Sequence, residues 1–382
     1  MLRSHARLPG AIVVLIATAC AAAAGLDSHP SDSSALADGA IVDAGRMLVP
    51  RASHSSTLLP DGRVLLAGGC AINGCDPGPL SASTEIYEPA RGTFRRGPDL
   101  SAPRSGGHVA VLLRDGRVLI TGGWSGPAVT TRTELFDPRR DAFGPGPDLS
   151  VPRAGASGSL LPDGRVLIAG GYDGSRSLGS TEIFDPSGMR FTAGPELSEA
   201  RSEHAAVRLA DGRVLLIGGS QPRGPVLRSA EVFDPVTARV TPSADLTVRR
   251  HKHAAALLRD GSVLVVGGSD ERDSRGTYDT SERWSPDSVR FESTPSMHAA
   301  RFKIANAVVT LGDGRVLIAG GAPEAEIYDP STRSFRVLRG SFGAGRMFTS
   351  AVALPDGSAL ITGGYDNLLR VTNRAFRFVS AR

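Results

Sequence analysis

The chain has 382 residues, enough to bury a large core, and its 46 glycines and 26 prolines suit a turn-rich all-β fold. Its 43 basic residues against 39 acidic ones give a net charge of +4, and with Arg3 and Arg7 in a leader the remainder is close to neutral. No long basic run occurs, which argues against nucleic-acid binding; only Lys252 and Lys303 are lysines.

In chain order, residues 1–24 read as a bacterial signal peptide. Arg3 and Arg7 precede an apolar run, Ala11 to Ala19, that is too short for a comfortable membrane span. The "ATAC" that closes it resembles a lipoprotein processing site with Cys20 as the lipidated residue; ordinary cleavage after Ala19 or Ala24 is the alternative. Residues 25–40 are small and polar and read as a flexible tether. This places the mature protein outside the cytoplasm, lipid-anchored in the cell envelope or secreted. In that setting Cys70 and Cys75, the remaining cysteines, are expected to form a local disulfide.

From residue 41 to 382 one phrase returns seven times. "LLPDGRVLLAGG" starts at Leu58, and its relatives start at Leu112, Leu160, Arg208, Leu257, Thr310 and Ala353. Each reads as two apolar strands, a and b, around an Asp-Gly turn, with a two-residue hairpin loop expected because Gly tolerates positive φ. Strand b ends in a Gly-Gly pair: Gly68 and Gly69, Gly122 and Gly123, Gly170 and Gly171, Gly218 and Gly219, Gly267 and Gly268, Gly320 and Gly321, Gly363 and Gly364. A third strand, c, follows as "STEIYEP" and its kin, closed by Pro, and a short strand d lies around Phe94 and its equivalents. The mean step between Gly-Gly pairs is about 49 residues.

A period near 50 with a Gly-Gly hallmark resembles the kelch repeat family over nearly all of 41–382. The resemblance implies an all-β, seven-bladed propeller of four-stranded antiparallel blades, in a single domain. A lone four-stranded unit cannot cover both its faces, whereas blades arranged radially bury one another. Two segments compete for the outer strand of the last blade. "LLRVTNRAFRFV" after Gly364 can supply its strands c and d, and Ala40 to Arg51 resembles a d strand leading into an a strand. The alternatives stay open at this level.

The spacing locates a variable face. Asp of the turn to the first Gly of Gly-Gly is seven residues in every unit, but the second Gly to the strand-c Glu runs 16, 11, 11, 12, 14 and 5. The b–c loops and d-to-a crossings share one rim of the disc, the usual place for binding or catalysis on a rigid scaffold. Directly after Gly-Gly stand Cys70, Trp124, Tyr172, Ser220, Ser269, Ala322 and Tyr365. Trp124, Tyr172 and Tyr365 are candidates to stack on a sugar ring or anchor a partner, with packing between blades as the alternative. Asp173 and Asp366 lie in the same loops, but isolated aspartates supply too few oxygens for calcium, and no metal or cofactor is assigned.

Seven residues before each turn Asp stand His54, His108, Ala156, His204, His253, Asn306 and Thr349. The four histidines are ligand-binding candidates in one layer of the channel, but sevenfold spacing does not converge them on a metal, and bonding to a neighbouring backbone is the favoured role. Ten residues before the same Asp come Arg51, Arg153, Arg201, Arg250, Lys303 and Arg346, with Arg104 at eleven. These cations are expected to pair with the strand-c glutamates Glu85, Glu134, Glu182, Glu231, Glu282 and Glu326 and to hold blades together; a positive ring at the mouth is the alternative.

The kelch resemblance also implies enzymatic options. Copper radical oxidases similar to galactose oxidase need a Tyr–Cys cross-link, a second Tyr and two His, which the cysteine placement here opposes. Sialic-acid epimerases are also similar, and Glu203, His204, Asp270 and Glu271 are acid/base candidates without a defined role. The favoured reading is a non-catalytic, monomeric module binding a protein or a carbohydrate through its b–c loops. A carbohydrate-active enzyme and a structural envelope component are the alternatives.

Overall fold

The Asp-Gly turn sets the local geometry. In the computed structural model, which describes residues 39–73, 82–222 and 224–380, strand a of blade 1 (Ser55–Leu58) pairs with strand b (Val64–Ala67) in the register Leu58↔Val64. The loop is not the expected two-residue turn. Gly62 N–H donates to Leu59 O, Leu59 N–H donates to Arg63 O, and Gly62 has φ +86°. This is a three-residue loop in which a type I turn ends on a left-handed glycine bulge, a geometry that suits the strand twist. Asp61 Oδ1 accepts the Arg63 amide at 3.0 Å, and the Arg63 guanidinium returns to Asp61 Oδ2. Blades 5 and 7 carry Ser262 and Ser358 where Arg63 stands. There an arginine on strand c takes over, Arg283 on Asp260 and Arg377 on Asp356.

Strands a, b, c and d pair antiparallel in that order in each of seven four-stranded sheets among the described residues. In blade 1, strand c is Thr84–Glu88 and strand d is Thr93–Arg96. Strand b is buried throughout each blade, because its two faces meet different neighbours. Leu65 and Ala67 face blade 2 with Val118, Ile120 and Phe136, while Val64 and Leu66 face blade 7 with Leu360 and Ala375. The strand-d landmark packs across its own blade: Tyr87 lies 4.8 Å from Phe94 and Phe184 5.2 Å from Phe191, ring centre to ring centre. The molecule is therefore an all-β, seven-bladed propeller, with the a strands lining the channel.

The last blade uses both chain ends. Its strands a and b are Ser350–Ala353 and Ala359–Thr362, and the C-terminal segment supplies only strand c, Arg374–Val379. The outer strand is N-terminal: Ala40–Arg46 pairs antiparallel with it, Ala40↔Val379 and Asp43↔Phe376. The competition between segments thus resolves in favour of the N-terminus. Ile41 is buried among Ile327, Leu338, Phe342 and Phe378, so the strand also grips blade 6.

Blades 1 to 6 are each braced by a buried ion pair. Glu85 on strand c accepts the Leu48 and Val49 amides of the incoming crossing and the Arg51 guanidinium, and Arg51 Nη1 donates to Gly68 O. The same pair recurs as Arg104–Glu134, Arg153–Glu182, Arg201–Glu231 and Arg250–Glu282. In blade 6 the partner of Glu326 is Arg301, not Lys303. Two extra residues, Ala305 and Asn306, sit between this motif and strand a, so counting back from the turn lands two positions late. The pairs act within a blade. Blades are joined instead by the arginine's own carbonyl, which accepts the second Gly-Gly amide of the preceding blade: Gly69 to Arg104 at 2.7 Å, and around the ring to Gly364 on Arg51 at 2.8 Å. A Cβ at Gly69 would lie 2.7 Å from Ala52 O and 2.8 Å from His54 Cβ, so the close approach requires glycine.

Candidate functional site

The b–c loops and crossings enclose a chamber of about 900 Å³ at one mouth of the channel. Its floor is a ring of peptides. Ser53, Gly107, Gly155, Glu203, Lys252, Lys303 and Phe348, one from each blade, all have left-handed φ between +52° and +67°. That conformation aims each amide at the preceding blade. Glu203 N–H donates to Gly155 O, Lys252 to Glu203, Lys303 to Lys252, Phe348 to Lys303 and Ser53 to Phe348, at 2.8–3.1 Å. Gly155 bonds Gly107 likewise; the seventh step, from Gly107 to Ser53, carries no such bond among the described residues, and there Gly106 is the extra residue. The strain of five non-glycine residues at positive φ is thus held by the closed disc, and their side chains line the mouth.

The three aromatic candidates line the chamber, in two places. Trp124 and Tyr172, on blades 2 and 3, are half-buried, with ring centres 5.9 Å apart and planes at 37°. Trp124 opens a short hairpin, Trp124–Ser125 with Ala128–Val129, and Tyr172 Oη donates to Gly174 O. Tyr365, on blade 7, is buried beside Phe348 and lies across the mouth from them. Cys70, also on the lining, is disulfide-bonded; its expected partner Cys75 lies outside the described residues, as does Cys20. Asp173 and Asp366 cap their own loops, accepting the amides of Ser175 and Arg176 and of Leu368 and Arg370.

The histidines bond to side-chain hydroxyls of the preceding blade rather than to backbone. His108 Nε2 meets Ser55 Oγ at 3.0 Å, His204 Nε2 meets Ser157 Oγ at 2.8 Å, and His54 Nε2 meets Thr362 Oγ1 at 2.8 Å. Burial, together with the nearby Arg51, Arg104 and Arg201, pushes these imidazoles down to about 3, so they are neutral. His253 stands by Ala205, where His108 and His204 meet a serine, and among the described residues neither of its ring nitrogens has a partner. Ala205→Ser is expected to raise the unfolding free energy by about 1 kcal/mol in urea titration by supplying that hydroxyl. In blade 6 the place is taken by Ile304, not Asn306: its Cδ1 stands against Gly267 as His108 Cε1 stands against Gly68.

Opposite the Trp124–Tyr172 wall lies a charged cluster that repeat spacing did not single out. Lys252 Nζ is 3.0 Å from Asp273 Oδ1 and 3.6 Å from Glu203 Oε2, and His251 Nδ1 is 3.4 Å from that same Glu203 oxygen. Lys303 Nζ donates to Tyr365 Oη at 3.2 Å and is 3.8 Å from Asp273. Burial and the carboxylates of Asp273 and Glu203 push the Tyr365 phenol up to about 12, which keeps it a hydrogen-bond donor rather than a base. Burial also lowers Lys303, with Asp273 opposing. Of the acid/base candidates, Glu203 belongs to this cluster and His204 lies beneath it; Asp270 is engaged by Arg272 and Glu271 by Arg249. A sequence signal for the cluster existed: both lysines of an arginine-rich chain stand at the same ring position of adjacent blades.

The Kelch motif model matches residues 154–198, which span the end of the blade 2-to-3 crossing and nearly all of blade 3. Seven four-stranded blades of this pattern close into one ring. The chain is a kelch-repeat propeller. No curated protein matches it. Among solved structures it is similar to a fungal alcohol oxidase of the AA5 family, in complex with copper, at 17% identity and a TM-score of 0.70; the match covers 90% of this chain and 76% of the oxidase. That likeness is one of fold. The donors of this kelch propeller do not fit a copper centre: the hydroxyls of Tyr172 and Tyr365 are engaged by Gly174 and Lys303, and three of the channel imidazoles by neighbouring hydroxyls. Among the described residues no three His, Cys, Asp or Glu side chains are grouped to hold a metal.

Proposed function

We propose that this kelch propeller is an exported binding protein that takes a carbohydrate in the mouth chamber without turning it over. The observation that carries the reading is the half-exposed Trp124–Tyr172 wall facing a row of fixed hydrogen-bonding groups across about 900 Å³. An aromatic face stacks on the apolar side of a sugar ring, and the polar wall serves its hydroxyls. The protonated state of Tyr365 favours binding over proton abstraction. A protein partner is the second reading, favoured by Leu368 and Leu369, exposed on the blade 7 b–c loop. Export rests on the leader, and the mass of the processed N-terminus tells lipidated Cys20 from plain cleavage.

The mature protein is expected to be retained on a glycan array, and Trp124→Ala and Tyr172→Ala are each expected to weaken that binding at least tenfold at unchanged melting temperature. Unchanged retention in both variants refutes the site, and release of a chemically modified sugar would show that the protein is an enzyme.

A further inference from the structure

Within the carbohydrate site proposed above, on which this step rests, we infer that Lys303 and Tyr365 form a carboxylate subsite, so that the ligand is an acidic glycan carrying a carboxylated sugar such as a hexuronic acid. Among the described residues three charged side chains other than histidine line the chamber: Glu203, Lys252 and Lys303. Glu203 lies 3.6 Å from Lys252, which also meets Asp273 at 3.0 Å. Among the described residues Lys303 has no such close carboxylate; Asp273, its nearest, is 3.8 Å away and already shared. With one of its three N–H donors on Tyr365 Oη and Asp273 beyond hydrogen-bond reach, the Lys303 ammonium keeps donors to offer an incoming anion.

The ammonium is also held in place. It sits 4.9 Å from the ring centre of Phe302, 5.6 Å from Phe348 and 5.7 Å from Tyr365. Its proton goes to Tyr365 Oη, which leaves the phenol's own proton without an acceptor among the described residues. Two adjacent donors of fixed direction suit the two oxygens of one carboxylate. They stand on blades 6 and 7, across the mouth from Trp124 and Tyr172 on blades 2 and 3. Both line one chamber of about 900 Å³, which an oligosaccharide can span from the aromatic wall to the two donors.

The test uses tetramers of galacturonic, glucuronic and mannuronic acid, each paired with its carboxyl-reduced neutral counterpart, in titration calorimetry with the mature protein. At least one acidic tetramer is expected to bind about tenfold or more tightly than its neutral partner. Tyr365→Phe, which keeps the ring, and Lys303→Met are expected to bring that ratio close to one by weakening the acidic tetramer far more than its neutral partner, at unchanged melting temperature. Equal binding of both members of every pair, or a preference that survives both variants, overturns the carboxylate subsite and leaves the carbohydrate reading standing. Tighter binding of tetraglutamate than of any uronate overturns the sugar class. Binding of no sugar, acidic or neutral, overturns both readings.

Discussion

A chain that starts at Met47 is expected to lose cooperative unfolding. Without Ala40–Arg46, strand c of blade 7 keeps only strand b as a partner, and its outer edge is left unpaired. Ile41 leaves a buried cluster shared by blades 6 and 7, worth about 1.5–3 kcal/mol for that side chain alone. Phe378 and Phe342 are then uncovered, and the amide of Ile41 no longer meets Arg339 O. The disc also loses the strand pairing that ties its two chain ends together in one blade. That one side chain is already a sizeable share of the about 5–15 kcal/mol that holds an ordinary domain together. Size-exclusion chromatography is expected to show aggregates built on the bare edge, and urea titration a broad, early transition. Adding a peptide of residues 39–47 should restore a sharp one. A truncated chain with the parent's midpoint would mean that blade 7 does not depend on the N-terminal strand.

The second large effect is expected at the buried ion pairs. Arg201→Met should lower the unfolding free energy by about 3–5 kcal/mol, because it strands a buried carboxylate. Arg201 spans Glu231 at 2.6 Å, Gly218 O at 2.7 Å and Ser229 O at 3.0 Å, and both charged side chains are shielded from water. Glu231 would retain only the Ser198 amide and hydroxyl and a long contact from Glu199. Arg201→Lys should recover little, since a lysine cannot reach three acceptors with one planar fork. Arg346 is the internal control. Its blade has no strand-c glutamate, and its guanidinium meets Phe342 O at 3.2 Å, so Arg346→Met should cost about 1 kcal/mol. Equal losses at the two positions in urea titration would refute the pairing argument.

How much of this was legible in the chain can be judged residue by residue. The turn Asp and the Gly-Gly pair recur at constant spacing in all seven blades and the strand-c Glu recurs in six, because each meets the same backbone where it stands, and from them follow the blade count and the Arg–Glu braces. Spacing failed where one blade departs from the period. The extra Ala305 and Asn306 of blade 6 disguised Arg301 as an unrelated residue and presented Lys303 in its stead. The histidines stood in one register, but their role depended on the first residue of strand a one blade earlier, serine for His108 and His204 and alanine for His253.

The sequence by itself determined a seven-bladed all-β ring with one uneven rim, since a repeated amphipathic unit has no other way to cover both its faces. Tertiary structure alone decided which end supplies the closing strand, and it alone assembled the mouth. Lys303 and Tyr365 are 62 positions apart, and Trp124 and Lys252 come from blades that never touch. Contacts across a channel obey the closure of the disc, and no local period along the chain records them.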